Sequence, residues 1–579
     1  MQGRAPTSPV FDELRGIQRT HGYLPESELR TLADRLRLPL FRLQAVASFY
    51  PHFFLKPPAR AEVRVCGDMA CHRHGGNDLR ERLASRFQGQ DVNVKHVSCL
   101  GRCDLAPAMA VNDQIFEKVS ESDAASLVDF ALAGASPEQL AARRAHPART
   151  PIKCDPYVAE GDRTSDLEPR TSAQYGVLRS FVQSKDWAGL IATLKASGLR
   201  GLGGAGFPTG MKWELVRNQP GPDKYIVCNA DESEPGTIKD RHIMTNAPHL
   251  LVEGMILGGL VAGARYGILY IRHEYTDQEH ILQHEIDRCY REGILGSRVM
   301  GSDLAFDLEI FVSPGLYICG EESALLEAIE GKRAEPRNKP PFPGQVGGGL
   351  WAKPTVINNV ETFFFVPVIL AKGVDWMKSA GRNGSAGVKF VGVSGDVVNP
   401  GVFEVPMGTP YRELIEGYAG GVPAGRTLKS YAPSGPAGGY LPASLLDLPL
   451  DWNAMTQAGA TVGSGAIVVC DDRACMLDMA LNSVRFFRNE SCGKCVPCRT
   501  GSTKLTEMLT EWTKGRRGPH DLALYEALCH AMRLASICGL GQVVHVPIAS
   551  VMKHFPDEVE AHAKGSCPAG VCFRIGASA

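Results

Sequence analysis

The sequence has almost no net charge: 62 Lys and Arg face 63 Asp and Glu in 579 residues, which leaves −1. A chain without excess positive charge has no global field that favours nucleic acid or an anionic membrane surface. Its 17 Cys, about 3% of the residues, are too few for a disulfide scaffold, and no signal peptide is evident before them. We therefore expect reduced thiols in a cytoplasmic protein that does not bind nucleic acid.

No long, uninterrupted hydrophobic run is present either. The longest apolar stretch, 250–271, is broken by Glu253, Arg265 and several glycines, which the bilayer core penalises. It predicts a buried helix that leads into a core strand, with no direct membrane insertion. Any association with a membrane would come through a partner.

The pattern along the chain predicts a multidomain α/β protein. Apolar residues at a helical period dominate the N-terminus, alternating residues follow, and a stretch rich in Pro, Ala, Arg and Asp separates them from the rest. Helical runs then alternate with apolar strands, as in an open, mostly parallel sheet. The predicted segments are a helical bundle (1–60), a compact α/β module (61–135), a linker (136–173), an α/β-sheet domain (174–385), a small β-rich domain (386–470) and a helical domain (471–579).

Four cysteines in the α/β module form two pairs, each after a predicted strand. Cys66 and Cys71 are separated by four residues, and Cys99 and Cys103 by three. Four thiolates that converge from two loops suit a [2Fe–2S] cluster, because soft sulfur ligands match iron. Structural zinc, which usually takes closer cysteine pairs, and two disulfides, which a reducing compartment disfavours, remain the alternatives.

A second set lies near the C-terminus. Cys492, Cys495 and Cys498 follow one another at two-residue gaps, and Cys538 stands forty residues on. A triplet closed by a distant fourth cysteine is typical of a [4Fe–4S] cluster, and zinc is the alternative.

A third constellation is rich in glycine. The segment GLRGLGGAGFPTGMKW ends near Lys212, and its glycines would let backbone amides approach an anion. A strand and the polar run NADESEPGTIKDR follow it, and a ligand in an open α/β sheet binds where such a strand ends. Another glycine-rich turn with paired carboxylates (315–322) and a lysine-to-phenylalanine stretch (339–342) extend the pattern.

These segments, together with YICGEESALLEAIEGKR, KPPFP and TVINNVETF, resemble the NADH-binding flavoprotein subunit of respiratory complex I. The N-terminal part resembles the thioredoxin-like [2Fe–2S] subunit of the same complex. The resemblance therefore implies that two subunits, separate in complex I, are fused in this chain. The resemblance implies a thioredoxin-like domain after the N-terminal helices, a Rossmann-like FMN/NADH domain, a ubiquitin-like β-rich domain and a C-terminal helical bundle.

The resemblance also implies the cofactors FMN and NAD(H) and assigns residues to them. Carried onto matching positions, the FMN residues are Gly201, Gly204, Lys212, Asn229, Asp231, Glu232, Gly320, Glu321, Asn358 and Asn359. Those implied for NADH are Phe207, Glu234, Glu322, Lys339 and Phe342. No acid–base dyad is required, so we expect Glu232 and Glu234 to tune binding and flavin potential rather than act as general bases.

The C-terminus departs from the complex I pattern. His562, Cys567 and Cys572 form H-x4-C-x4-C, and CPAGVC resembles the tail of flavoprotein subunits from NAD-linked hydrogenases. With Cys475, placed as in those relatives, they would complete a structural zinc site. Free thiols on a frayed tail are the alternative.

The function implied is that of a diaphorase subunit, an NADH:acceptor oxidoreductase. It would pass hydride between NAD(H) and FMN and single electrons through its clusters to other iron–sulfur and catalytic subunits of an NAD-dependent formate dehydrogenase or hydrogenase. Two alternatives are the NADH-entry module of a complex I-like quinone oxidoreductase and an iron–sulfur scaffold without catalysis.

Overall fold

The computed structural model describes residues 7–144, 150–158, 174–518 and 520–572. In chain order the helices are α1 (Val10–His21), α2 (Glu26–Leu36), α3 (Leu40–Phe49), α4 (Met69–Arg73), α5 (Gly76–Arg86), α6 (Glu121–Leu132), α7 (Pro137–Ala141), α8 (Gly176–Ser184), α9 (Trp187–Ser197), α10 (Thr209–Arg217), α11 (Lys239–Asn246), α12 (Pro248–Ala262), α13 (Thr276–Arg291), α14 (Glu322–Ile329), α15 (Val360–Lys372), α16 (Val374–Ser379), α17 (Trp452–Gln457), α18 (Met476–Asn489), α19 (Val496–Trp512), α20 (Asp521–Ala535), α21 (Gly539–Val543), α22 (Val546–His554) and α23 (Pro556–Ala563). The strands are β1 (Ala61–Cys66), β2 (Val92–Val97), β3 (Met109–Val111), β4 (Gln114–Phe116), β5 (Tyr225–Ala230), β6 (Tyr266–Ile271), β7 (Asp307–Val312), β8 (Thr355–Asn359), β9 (Val388–Gly395), β10 (Gly401–Pro406), β11 (Leu428–Pro436), β12 (Leu441–Pro442) and β13 (Ala466–Asp471).

The described chain divides into two compact units. The first holds residues 7–58, 150–158, 174–232 and 239–389, and the second holds 59–144, 233–238, 390–518 and 520–572. The short segment 233–238 thus belongs to a different unit from the residues that flank it.

The first unit is built on a parallel sheet of order β7-β6-β5-β8. Its strands read as apolar runs because a parallel sheet is covered on both faces. Helix α12 is buried along its whole length, and Gly259 allows close packing, since a Cβ there would lie 2.1 Å from the Phe306 ring. The stretch 250–271 is therefore a buried helix followed by the core strand β6, as predicted.

Helices α1 to α3 belong to this first unit, not to the [2Fe–2S] module that follows them in the sequence. Arg15 donates to the carbonyl of Val312 at 2.7 Å, and the Tyr50 hydroxyl donates to the carbonyl of Lys332 at 2.7 Å. Phe11 packs edge-on against Phe311, with ring centroids 6.1 Å apart.

The second unit contains two sheets. One has the order β2-β1-β3-β4, and its β3–β4 hairpin turns at Asn112 and Asp113, both with positive φ. The other is a mixed sheet of order β10-β9-β13-β11-β12. Helices α18 to α23 complete this unit. The multidomain α/β class predicted from the sequence is confirmed.

The segment predicted to be a linker, 136–173, differs in part. Ser136 and Gln139 form a capping box, and this box starts the short helix α7. Further on, the Tyr157 hydroxyl donates to the carboxylate of Glu253 on α12 at 2.9 Å. Residues 145–149 and 159–173 of the predicted linker lie outside the described residues.

Candidate functional site

The predicted flavin residues lie where the strand order of the first sheet reverses. From β5 the chain moves to β6 and β7 on one side and then to β8 on the other, so the reversal lies between β5 and β8. Asn229 near the end of β5 pairs with Asn359 at the end of β8. A crevice beyond the carboxyl ends of strands at such a point is the usual ligand site of this architecture.

The glycine-rich loop closes on itself beside this edge. Arg200 bridges to Pro208, and Gly201 donates to the Phe207 carbonyl at 2.8 Å. In the described chain, the N–H groups of Gly203 and Gly204 donate to no protein acceptor. These donors, in the glycine-rich loop that precedes α10, suit an anion such as a phosphate group.

Two glycines beside the ends of β5 and β8, Gly203 and Gly320, are closely packed, whereas Gly204 has open space around it. A Cβ on Gly203 would lie 2.9 Å from the Asn359 Cβ, and one on Gly320 would lie 3.2 Å from the Asp231 carbonyl oxygen. The Asn229 amide donates to the Gly320 carbonyl at 2.8 Å, which joins the end of β5 to the loop after β7. The donors and the close-packed glycines therefore fit a flat ligand that carries a phosphate.

Two predicted flavin residues are held by protein groups beneath this edge. Lys212 on α10 donates from Nζ to the Ile357 carbonyl at 3.0 Å, and burial lowers the pKa of Lys212. Asn358 is buried, and its side-chain oxygen accepts from the Trp213 indole at 3.0 Å.

Asn359 is fixed by a buried network of charges that the sequence analysis missed. Lys239 donates to Asn359 Oδ1 at 2.9 Å and to Asp240 at 2.6 Å, and Asn359 donates to Asp240 at 2.5 Å. Glu361 lies 3.1 Å from Lys239 and accepts from Lys389 at 2.9 Å. Lys239, Asp240 and Glu361 stand inside or just after the quoted motifs, but nothing in the sequence pairs them with Lys389.

The Glu232 carboxylate also accepts hydrogen bonds from protein donors. It accepts from the backbone N–H groups of Asp240 at 2.8 Å and Arg241 at 3.0 Å, and from the Tyr275 hydroxyl at 2.8 Å. Burial, and next the charge of Asp240, raise the pKa of Glu232 to about 7. Glu232 thus caps the start of α11 and fixes the polar run after β5.

Of the residues assigned to NADH in the first unit, Lys339 and Glu322 are half-buried and pair with each other, and Phe207 and Phe342 are exposed. Lys339 donates to Glu321 at 2.8 Å and to Glu322 at 2.7 Å. Glu321 also caps α14 by accepting from Ser323 and Ala324. The rings of Phe207 and Phe342 are 42% and 53% exposed. Large aromatic faces left open to solvent are suited to stacking on a base or nicotinamide ring.

Glu234, also assigned to NADH, belongs to the second unit. Its carboxylate is buried, Ser464 donates to it at 3.4 Å, and burial raises the pKa of Glu234 to about 7.

The cysteines assigned to the [2Fe–2S] cluster are brought together in the second unit. All four are buried and form no disulfide, and the sulfurs of Cys99 and Cys103 are 3.3 Å apart. A hydrogen bond with Cys71 and then burial raise the pKa of Cys66, with Cys99 also contributing. Burial of four thiols in one pocket disfavours their ionisation in the absence of a cation. Such a set is suited to a cluster of several iron ions, so these cysteines fit the [2Fe–2S] cluster.

The cysteines assigned to the [4Fe–4S] cluster lie around the start of α19. Cys495 immediately precedes this helix and Cys498 lies in its first turn, while Cys538 immediately precedes α21. A Cβ on Gly541 would lie 2.8 Å from the Cys498 Cβ, so α21 packs directly on Cys498. Cys492, Cys495 and Cys538 are half-buried, and the set fits a cluster near the surface.

The residues proposed for zinc converge most tightly. The Cys475 sulfur lies 3.4 Å from His562 Nε2 and 3.5 Å from the Cys572 sulfur, and all four ligand atoms, including that of Cys567, lie within 4.8 Å of one another. Tetrahedral zinc, with bonds of about 2.3 Å to sulfur and about 2.0 Å to nitrogen, separates its ligand atoms by about 3.5–3.8 Å. His562 Nδ1 contacts the Glu558 carbonyl at 2.7 Å, which leaves Nε2 for a metal.

Known protein families match consecutive parts of this chain. Family models match four stretches: the thioredoxin-like [2Fe-2S] ferredoxin (3–131), the Nuo51 FMN-binding domain (194–368), the SLBB domain (390–435) and the NADH-ubiquinone oxidoreductase-F iron-sulfur binding region (478–562).

The NADP-reducing hydrogenase subunit HndC of Solidesulfovibrio fructosivorans is 41% identical over 415 residues, which cover 71% of this chain and 84% of that protein. The NADH-quinone oxidoreductase F 2 subunit of Rhizobium meliloti is 43% identical over 373 residues, 64% of this chain and 88% of the relative. The chain belongs to the family of these NADH-quinone oxidoreductase and hydrogenase flavoprotein chains.

A chain of the NAD+-reducing [NiFe]-hydrogenase in its H2-reduced state is similar almost throughout, with a TM-score of 0.83, 32% identity and coverage of 96% of this chain and 94% of that one. Membership of the family confirms the predicted flavin and iron–sulfur domains and the predicted oxidoreductase class. Within the described residues, no helix is both long and apolar enough to cross a membrane.

Proposed function

We propose that the chain belongs to a cytoplasmic, multisubunit oxidoreductase of the hydrogenase or formate dehydrogenase type. In that complex it is the subunit that oxidises NADH or reduces NAD+. The observation that carries this proposal is the presence in one chain of a phosphate-binding loop at the switch point of a parallel sheet and two four-cysteine sets. A flavin site without clusters would need no such sulfur ligands, and clusters without a flavin could not accept a hydride.

The residues of the first unit would hold FMN and NADH next to each other. The free amides of the glycine-rich loop and Lys212 would hold anionic groups of FMN, and Asn229 and Asn359 would position its edge. Bound FMN would exchange a hydride with nicotinamide and release electrons one at a time. Lys339 would orient Glu321 and Glu322 toward ribose or amide hydrogens, while Phe207 and Phe342 would stack on the dinucleotide. The cysteines of the second unit would hold the two clusters and, through Cys475 and the tail, zinc.

The hydrogenase or formate dehydrogenase type is favoured by the span of the similarity. In structure, the matched hydrogenase chain covers 96% of this chain, which includes the thioredoxin-like part, so the fused arrangement has a counterpart in that chain. In sequence, HndC covers 71% of this chain and the relative from Rhizobium meliloti 64%.

The test begins with the full chain, reconstituted anaerobically with FMN, iron and sulfide. We expect a yellow-brown protein that bleaches with NADH and reduces ferricyanide, and colourless, inert protein would overturn the proposal. A chain that binds iron but leaves NADH unoxidised would support the scaffold alternative. Native partners captured with the chain and analysed for metals then decide the type: nickel supports a hydrogenase, molybdenum or tungsten a formate dehydrogenase, and a quinone-binding protein the complex I-like alternative.

A further inference from the structure

The segment 233–238, which connects two parts of the flavin unit in sequence, forms part of the wall around the [2Fe–2S] cysteines. The backbone N–H of Gly236 donates to the Cys103 sulfur at 3.2 Å. The Ile238 side chain is fully buried against Cys99, Cys103 and Ala70. The motif that carries Glu232 and Glu234 therefore also contacts Cys103, one of the proposed cluster ligands.

The position of this N–H depends on glycine. Gly236 has a φ of +93°, and a Cβ there would lie 2.7 Å from Val468 Cγ2 and 3.2 Å from the Ala466 Cβ on β13. The preceding Pro235 has no N–H, so it cannot replace the donor. Thr237 fixes the turn by donating from its backbone to the Glu234 carbonyl at 3.0 Å and by pairing its hydroxyl with Ser464 at 2.7 Å.

An N–H that points at a cluster thiolate stabilises negative charge on the sulfur. When the cluster accepts one electron, with no bond or proton changing hands, its negative charge increases and the hydrogen bond strengthens. Hydrogen bonds to the sulfurs are among the factors that set the potential of such clusters. The Gly236 bond should therefore favour the reduced form.

We propose that Gly236 is a positioning residue that raises the reduction potential of the cluster held by Cys66, Cys71, Cys99 and Cys103. The proposal rests on the proposed [2Fe–2S] assignment of these cysteines. It gives the loop of the dinucleotide motif a second role, since the same short run that carries Glu232 and Glu234 supplies a donor to the cluster.

The test is a redox titration of the reconstituted full chain, followed by electron paramagnetic resonance of the reduced [2Fe–2S] centre. In Gly236→Ala we expect the equilibrium between reduced and oxidised cluster to shift about tenfold toward the oxidised form, which is about 59 mV for one electron. The [4Fe–4S] signal should keep its midpoint. Gly425→Ala is the matched control, because Gly425 has a φ of +79° and open space around it.

Because the new methyl group meets Val468, a second variant, Gly236→Ala combined with Val468→Ala, makes room for it. Val468→Ala alone should leave the midpoint where it is in the unchanged chain. An unchanged midpoint in both Gly236 variants, or failure of both to load the cluster while Gly425→Ala loads it, would overturn the potential-setting role. Absence of any [2Fe–2S] signal from the unchanged chain would instead refute the proposed function of these cysteines.

Discussion

Glu361 is the residue at which the buried charges of the flavin unit can be tested most directly. Its side chain and that of Lys389 are both 0% exposed, and the Lys389–Glu361 contact is 2.9 Å. Lys239, only 1% exposed, lies 3.1 Å from the same carboxylate oxygen. Glu361→Gln removes the negative charge between two buried lysines and keeps the shape of the side chain.

The cost follows from what is left behind. Removing one partner of a buried ion pair typically costs about 3–5 kcal/mol, because the other charge stays buried without compensation. Burial is the main cause of the lowered pKa of Lys389, and the charge of Lys239 lowers this pKa further. Without Glu361, burial and Lys239 would therefore both destabilise the charged form of Lys389. We therefore expect Glu361→Gln to lower the free energy of unfolding by about 3–5 kcal/mol. Lys389→Met should cost less, because Glu361 keeps Lys239.

The decisive measurement is a double-mutant cycle by urea denaturation of the chain without cofactors. The combination of Glu361→Gln with Lys389→Met should be more stable than Glu361→Gln alone, since the trapped charge is gone. FMN affinity, followed by quenching of flavin fluorescence, should weaken in Glu361→Gln because Lys239, which holds Asn359, loses one of its two carboxylate partners and keeps only Asp240. A double variant that is no more stable than Glu361→Gln would refute the trapped-charge argument.

Three further predictions concern other parts of the chain. Cys567→Ser should lower the zinc content by one ion per chain, whereas Cys529→Ser should not; equal zinc in both variants would rule out the site. Phe342→Ala should raise the KM for NADH about two- to twelvefold with little change in kcat, through the loss of about 0.5–1.5 kcal/mol of stacking, and Phe41→Ala, which removes another exposed ring, should leave it unchanged; an unaltered KM in Phe342→Ala would remove this ring from the dinucleotide site. Burial raises the pKa of Glu253 from 4.5 to about 7, so the folded state holds a proton that the unfolded state releases, and stability falls as pH rises through this window. Glu253→Gln should flatten that fall by up to about 1.4 kcal/mol per pH unit in urea titrations, and an unaltered slope would contradict the assignment.

Periodicity predicted the elements well where burial is uniform. The stretch 250–271 is apolar almost throughout, and it forms α12 and β6 as expected. Helix α7 was not predicted because the composition around it is typical of a linker, although Ser136 and Gln139 have the spacing of a capping box. The attachment of α1 to the flavin unit could not be predicted, since contacts such as Arg15 with Val312 join residues 297 positions apart.

The candidate site divides in the same way. Cysteine and glycine spacings identify residues that act through local geometry, and they led to the two cluster sets and the phosphate loop. The pairing of Lys389 with Glu361 and the bond from Gly236 to Cys103 depend on which strands meet, which the sequence does not state. Glu232, which the resemblance assigns to FMN, has its carboxylate at the start of α11, because the backbone N–H groups at a helix start need acceptors, and the sequence did not predict this cap.

One helix of the second unit, α18, is linked to all three sets of proposed metal ligands in that unit. Cys475 immediately precedes α18, and Cys492 follows its end by three residues. Between them, Asp478 contacts His72 at 2.6 Å, and the Asn482 side chain donates to the Gly67 carbonyl at 2.7 Å. Gly67 and His72 flank Cys71 in the [2Fe–2S] loop. Because α18 lies between Cys475 and Cys492 and is hydrogen-bonded to the [2Fe–2S] loop, we expect a shift of this helix to move residues of all three cysteine sets together.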